Sequence, residues 1–121
     1  MKKILLVEDD PFLIDIYTTK LKKSGFGMTV AKDGDSALRA VKEEKPDLVL
    51  LDIVLPHIDG WEILKKIKNN KELKDVKIIV LSNLGQKQEV EKGLELGAVK
   101  YLIKAHYTPS EIVKEVEKIL K

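Results

Sequence analysis

With 121 residues, 44% of them hydrophobic and 35% charged, the chain has the size and composition of one water-soluble globular domain, expected to span residues 1–121. It has no cysteine, which excludes disulfides and thiolate chemistry, and its apolar runs are too short to cross a bilayer. The net charge of +2 does not point to nucleic acid: Arg39 is the only arginine, and lysines alternate with acids, as in Lys42-Glu43-Glu44-Lys45, in the manner of solvated helix faces.

Met1-Lys2-Lys3 leads straight into a strand-like run without the apolar segment of a signal peptide, so a cytoplasmic protein with no membrane contact is expected. Ile4 to Val7 is too short for a helix and suits a strand buried on both faces. It ends in Glu8-Asp9-Asp10. Asp10 precedes Pro11, the pairing of an N-cap with N1, so Asp10 is expected to cap the first helix, leaving Glu8 and Asp9 at the strand end. Phe12, Leu13, Ile16, Tyr17 and Leu21 recur at helical spacing, and Gly25 stops that helix. Met28 to Ala31 reads as a second strand, Asp33-Gly34 as a turn, and Ala37, Leu38 and Val41 as a helical stripe closed by Pro46.

Leu48 to Leu51 predicts a third buried strand ending at Asp52. Pro56, Asp59 and Gly60 predict a loop before a helix buried through Trp61, Leu64 and Ile67. Ile78 to Leu81 is a fourth strand with Ser82 just past it, and Val90 and Leu94 mark a helix that closes at Gly97. Tyr101 to Ile103 is a fifth strand, followed by Lys104. Thr108-Pro109-Ser110-Glu111 has the residues of a capping box with Pro at N1, and Ile112, Val116, Ile119 and Leu120 then face the core.

Five strand-helix units predict an α/β fold, a doubly wound (βα)5 three-layer sandwich with a parallel sheet in the order 2-1-3-4-5. That order puts the switch point between the first and third strands, where Glu8-Asp9 and Asp52 end, and ligand sites in such sheets lie beyond the carboxyl ends of the strands. Three carboxylates packed there repel unless a cation neutralises them, and Mg²⁺, which prefers hard oxygen ligands and keeps several waters, suits the set. A carboxylate that attacks phosphorus generates charge on the equatorial phosphoryl oxygens, which a metal, the Lys104 ammonium and the Ser82 hydroxyl together would neutralise. Each residue alone is ordinary, since a lysine after a strand is usually solvated and a serine in a loop usually forms a turn. Their conjunction at four strand ends carries the weight.

These residues resemble the receiver domains of two-component response regulators over essentially the whole chain. The likeness runs through Ile-Leu-Leu-Val-Glu8-Asp9-Asp10, Asp33-Gly34, Asp52-Ile-Val-Leu-Pro56-His-Ile-Asp59-Gly60, Leu81-Ser82, Gly97-Ala98 and Tyr101-Leu-Ile-Lys104. The resemblance implies a flavodoxin-like fold and a phosphorylation-activated switch that takes a phosphoryl group on Asp52 from a histidine kinase or phosphotransfer protein. It implies that Asp9, Asp52 and the Val54 carbonyl contact Mg²⁺, with Glu8 acting through water, and that Lys104 binds the phosphoryl group. Ser82 matches the Ser/Thr that moves to the phosphate, and Tyr101 the aromatic that turns inward behind it; the alternative for Tyr101 is a half-exposed strand aromatic. A changed surface of the fourth helix, fifth strand and fifth helix would control a downstream protein. With no output domain after Lys121, either a stand-alone regulator or an excised receiver is expected.

Ala105 departs from the family, which usually has proline in a cis peptide after the lysine; a trans bond is expected here, because a non-proline cis bond costs about 2.5–4 kcal/mol. His57 and His106 read as solvated loop residues. An aspartyl-nucleophile phosphohydrolase is the enzyme alternative, but such enzymes generally carry a second Asp two residues on, where this chain has Val54. Flavin binding fails because the first loop is acidic where a phosphate cradle needs Gly, Ser or Thr. A non-phosphorylated scaffold stays open on residues alone. Val54 and Leu84, two beyond Asp52 and Ser82, are expected to exclude the water that would hydrolyse a phospho-aspartate.

Overall fold

Strands and helices alternate along the whole chain in the computed structural model, which describes residues 1–121. The elements are β1 (Lys3–Val7), α1 (Pro11–Lys23), β2 (Gly27–Ala31), α2 (Gly34–Glu44), β3 (Leu48–Leu51), α3 (Gly60–Lys68), β4 (Lys77–Ser82), α4 (Lys87–Glu95), β5 (Lys100–Ile103) and α5 (Pro109–Leu120). A single 3₁₀ turn, Lys104–His106, joins β5 to α5. The sheet is entirely parallel in the order β2-β1-β3-β4-β5. No helix is long and apolar enough to cross a membrane.

Alternation along the strands divides the core in two. Leu5, Val7, Val49, Leu51, Ile78 and Val80 point to the face covered by α2 and α3, against Ala37, Val41, Ile63, Leu64 and Ile67. Ile4, Leu6, Leu48, Leu50, Ile79 and Leu81 point to the other face, against Tyr17 and Leu21 of α1 and Ile112, Val113 and Val116 of α5. All four residues of the central strand β3 are fully buried, which explains why that strand reads as an unbroken apolar run. Truncating one of its leucines to alanine removes about 2–5 kcal/mol.

Helix ends follow local chemistry. The Asp10 carboxylate accepts from the amides of Phe12 and Leu13, and Thr108 with Glu111 forms the predicted capping box. Asp33-Gly34 is not a free turn: Asp33 caps α2, accepting from Ser36 N, and Gly34 is its first residue. Asp59 and Gly60 do the same for α3. After α1, Gly25 takes φ 96°, a left-handed conformation that glycine adopts without steric penalty.

Two of the apolar residues that mark the helices are exposed. Phe12 is 70% and Leu94 45% exposed. Phe12 sits in the first turn of α1, just past the carboxyl end of β1. The only buried residue of α4 is Gly93, so this helix meets the sheet through a glycine rather than through an apolar stripe. The reason is Tyr101: a Cβ on Gly93 would stand 2.7 Å from Tyr101 Cδ2, so the tyrosine ring occupies the space a larger α4 side chain would need.

Candidate functional site

Val7 and Leu51 are register partners at the ends of β1 and β3, so Glu8 and Asp52 leave the sheet side by side. Ser82, the last residue of β4 rather than the first after it, pairs with Ile103, and Lys104 follows directly. Four adjacent strand ends therefore bring Glu8, Asp9, Asp52, Ser82 and Lys104 to one edge.

Lys104 organises the centre. Its Nζ donates to Glu8 Oε1 at 2.5 Å and to Asp52 Oδ2 at 2.9 Å, bridging residues far apart in sequence. Asp52 Oδ1 accepts from Val54 N at 3.2 Å, and Glu8 Oε2 accepts from the amides of Asp9 and Asp10 at 3.1 and 3.2 Å. Both Glu8 oxygens are thus engaged within the protein. Asp9 is exposed, and one carboxylate oxygen from each of Glu8, Asp9 and Asp52 falls within 4.8 Å of the others. Such a set of hard oxygen donors can hold a divalent cation.

Burial raises Glu8 above the ordinary glutamate value, outweighing the pull of the Lys104 ammonium. Burial works against the charge on Lys104 as well, but hydrogen bonds to Asp52 and Glu8 overcome it and hold the ammonium above the ordinary lysine value. The net result is a positively charged Lys104 between two buried acids.

Gly60 lets α3 start hard against this edge. Its amide donates to Ile53 O at 2.8 Å, and a Cβ there would lie 2.5 Å from Ile53 Cα and 2.7 Å from the Asp52 carbonyl oxygen. Ser82 is fully buried, its Oγ accepting from Leu84 N at 3.3 Å. Tyr101 is half-buried and packed inward, its hydroxyl donating to Leu84 O at 2.5 Å and its ring stacked on Trp61 with centroids 6.5 Å apart. Lys92 Nζ lies over the Trp61 ring at 4.5 Å from its centroid. Val54 is 61% exposed beside Asp52, and Leu84 is half-buried. His57 and His106 are exposed, as expected, although His57 has a positive φ of 69°. No peptide bond is cis, so Lys104-Ala105 is trans.

Two features escaped the sequence. Asn83 Oδ1 accepts from the Ala105 amide at 3.1 Å, joining the loops after β4 and β5, and Gly93 provides the slot for Tyr101. No spacing or composition signal marks either one, because each depends on a contact between distant segments.

A doubly wound parallel sheet with an acid cluster at its switch point and a lysine reaching in from the edge is the arrangement of a response-regulator receiver, a signalling module. The chain belongs to the family of response regulator receiver domains, whose model matches residues 4–117. It is 36% identical over 120 residues to the alkaline phosphatase synthesis transcriptional regulatory protein PhoP of Bacillus subtilis (strain 168), covering 99% of this chain and 49% of that protein. It thus spans about half the length of the curated relatives it matches. Among solved structures it is similar to the BeF3-activated N-terminal receiver domain of Klebsiella pneumoniae RstA, with TM-score 0.88, 32% identity and 97% of each chain covered. It is also similar to the Mn(2+)-bound form of response regulator Rcp1, with TM-score 0.84, 32% identity and 98% and 91% of the two chains covered. Receiver domains are the phosphorylation-activated switches of two-component signalling.

Proposed function

We propose that residues 1–121 act as such a switch with Asp52 as the phosphoryl acceptor. The observation that carries this is the bridge from Lys104 to Asp52 and Glu8, which sets an ammonium beside the one acid that ends the central strand. An Asp52 carboxylate oxygen attacks the phosphorus of the donor, forming the acyl-phosphate O–P bond while the bond to the leaving group breaks and takes its electron pair with it. Lys104, already at Asp52 Oδ2, then has the new phosphoryl oxygens within reach and neutralises part of their charge. The Ser82 hydroxyl, whose oxygen accepts from Leu84 N, can turn its proton to donate to the phosphoryl group.

The donor chemistry fits Mg²⁺. Asp9, Asp52 and the Val54 carbonyl would hold it, with Glu8 acting through water; one carboxylate oxygen from each of the three acids lies within 4.8 Å of the others. When bound, the ion neutralises charge on the acids and on the entering phosphoryl group. The Mn(2+)-bound form of the similar Rcp1 supports a divalent site.

The donor is a histidine kinase or histidine phosphotransfer protein. Its seat is the apolar groove of about 360 Å³ beside Lys104, lined by Phe12, Leu13, Ile16, Tyr107 and Pro109, which accounts for the exposure of Phe12. The output is a protein target read by the surface of α4, β5 and α5, without direct contact to nucleic acid or membrane, in the cytoplasm. The domain assists its own phosphorylation and dephosphorylation without acting on a separate substrate.

The test is incubation with a small acyl phosphate and Mg²⁺, followed by intact-mass measurement. One phosphoryl group per chain is expected, dependent on Mg²⁺ and absent in Asp52→Asn. Modification of His57, His106 or Ser82 in that variant at the wild-type level would overturn the assignment.

A further inference from the structure

The ladder between β4 and β5 ends at the Ser82–Ile103 pair, just before the two residues nearest the chemistry change direction. Past it the strands part, β4 running into the loop toward α4 and β5 curling into the 3₁₀ turn of Lys104–His106. The next backbone rung cannot form. A side chain takes its place: Asn83, immediately after Ser82, accepts the Ala105 amide through Oδ1 at 3.1 Å.

This bond holds the peptide that follows Lys104. The bond that closes the turn, from Tyr107 N to Lys104 O, is long at 3.3 Å, so Ala105 gains a firm anchor from Asn83. Ala105 is exposed and contributes no ring and no core contact to restrict its own backbone. Yet the Lys104 ammonium must meet two acids at once, at 2.5 and 2.9 Å, from the end of a four-carbon stem. A backbone free to shift by an ångström would have to be compensated by that stem.

We propose that Asn83 is a positioning residue for phosphoryl transfer: through the Ala105 amide it fixes the turn that delivers the Lys104 ammonium to Asp52. The inference rests on the reading of Asp52 as acceptor. Asn83 touches no acid of the site and acts through the backbone alone. Because it also adjoins Ser82, the same bond ties the two loops that close on the acceptor from the β4 and β5 side.

The experiment compares wild type, Asn83→Ala and Asn83→Asp. Phosphoryl uptake from acetyl phosphate with Mg²⁺ is timed by intact mass, and hydrogen exchange is followed at the Ala105 amide by NMR. Asn83→Ala should lose protection at Ala105 and take up phosphate about three- to tenfold more slowly, the range one neutral hydrogen bond supports. Asn83→Asp keeps an oxygen acceptor and should restore both protection and most of the rate at physiological ionic strength, where its added charge is screened. An unchanged or faster rate in Asn83→Ala overturns the proposal, as does a loss in Asn83→Asp equal to that in Asn83→Ala while the amide stays protected. Wild type that gains no mass overturns the acceptor reading itself. Wild type that gains mass at the same rate as Asn83→Ala overturns only the role of Asn83.

Discussion

Replacing Lys104 by methionine keeps an unbranched apolar stem and removes the charge that stands 2.5 Å from Glu8 Oε1 and 2.9 Å from Asp52 Oδ2. Glu8 is 2% and Asp52 7% exposed, so water cannot replace the lost partner. At an effective dielectric of about 20 each contact is a gross attraction of about 6 kcal/mol, much of it offset by desolvation of the ions. Stranding a buried charge typically costs about 3–5 kcal/mol. Glu8 has an escape, because it can take up a proton. Burial already lifts it above its ordinary 4.5, and losing the ammonium that pulls it down lifts it further.

Protonating such a carboxyl at pH 7 costs about 3.4 kcal/mol and at pH 5 about 0.7 kcal/mol, at about 1.36 kcal/mol per unit, which caps the penalty from Glu8. The sign follows from proton counting: the folded variant keeps a proton that the unfolded chain releases, so its stability falls as pH rises above the ordinary value of 4.5. Wild-type Glu8 is raised as well, but less, because the Lys104 ammonium pulls it down, so wild type loses less than the variant as pH rises; the raised Lys104 contributes fully below its ordinary value of 10.5 and is constant across this window. Urea denaturation at pH 5, 6 and 7 without divalent cations should therefore show a gap between wild type and Lys104→Met that widens as pH rises from 5 to 7, on top of a pH-independent loss from Asp52. A gap independent of pH, or none at pH 7, would refute the reasoning.

Gly60→Ala should lose about 2–3 kcal/mol in urea melts and slow phosphoryl uptake, because its methyl would press on the Ile53 Cα and Asp52 carbonyl, backbone atoms that cannot swing aside. Gly93→Ala gains about 1 kcal/mol of helix propensity but drives a methyl into the Tyr101 ring, so stability should change little while fluorescence of Trp61, the single tryptophan, shifts as the stack opens; an unchanged spectrum would mean the ring stays put. Val54→Asn and Leu84→Glu, separately and together, should release phosphate faster than wild type, by about tenfold for a well-positioned water, since about 1.4 kcal/mol of barrier is one decade. Equal release rates in all of them would show that water exclusion by these side chains does not set the lifetime.

The strand runs, Asp10 and Thr108 as caps, the strand order and the acids at the switch point were all legible in the sequence, because periodicity and capping are local and register between parallel neighbours follows from where apolar runs end. Asp33 and Asp59 were harder: Asp-Gly reads equally as a turn or as a cap with its first helical residue, and only the helix that follows decides. Tertiary structure alone determined that Lys104 bridges Glu8 and Asp52, 96 and 52 residues away. It alone left Phe12 and Leu94 in solvent, since helical spacing marks a stripe but not how far the sheet extends beneath it. Gly93 and Asn83 belong to the same class. One is small because a ring from β5 needs its space, the other accepts a hydrogen bond because two strands diverge, and neither cause lies within reach of its own neighbours in sequence.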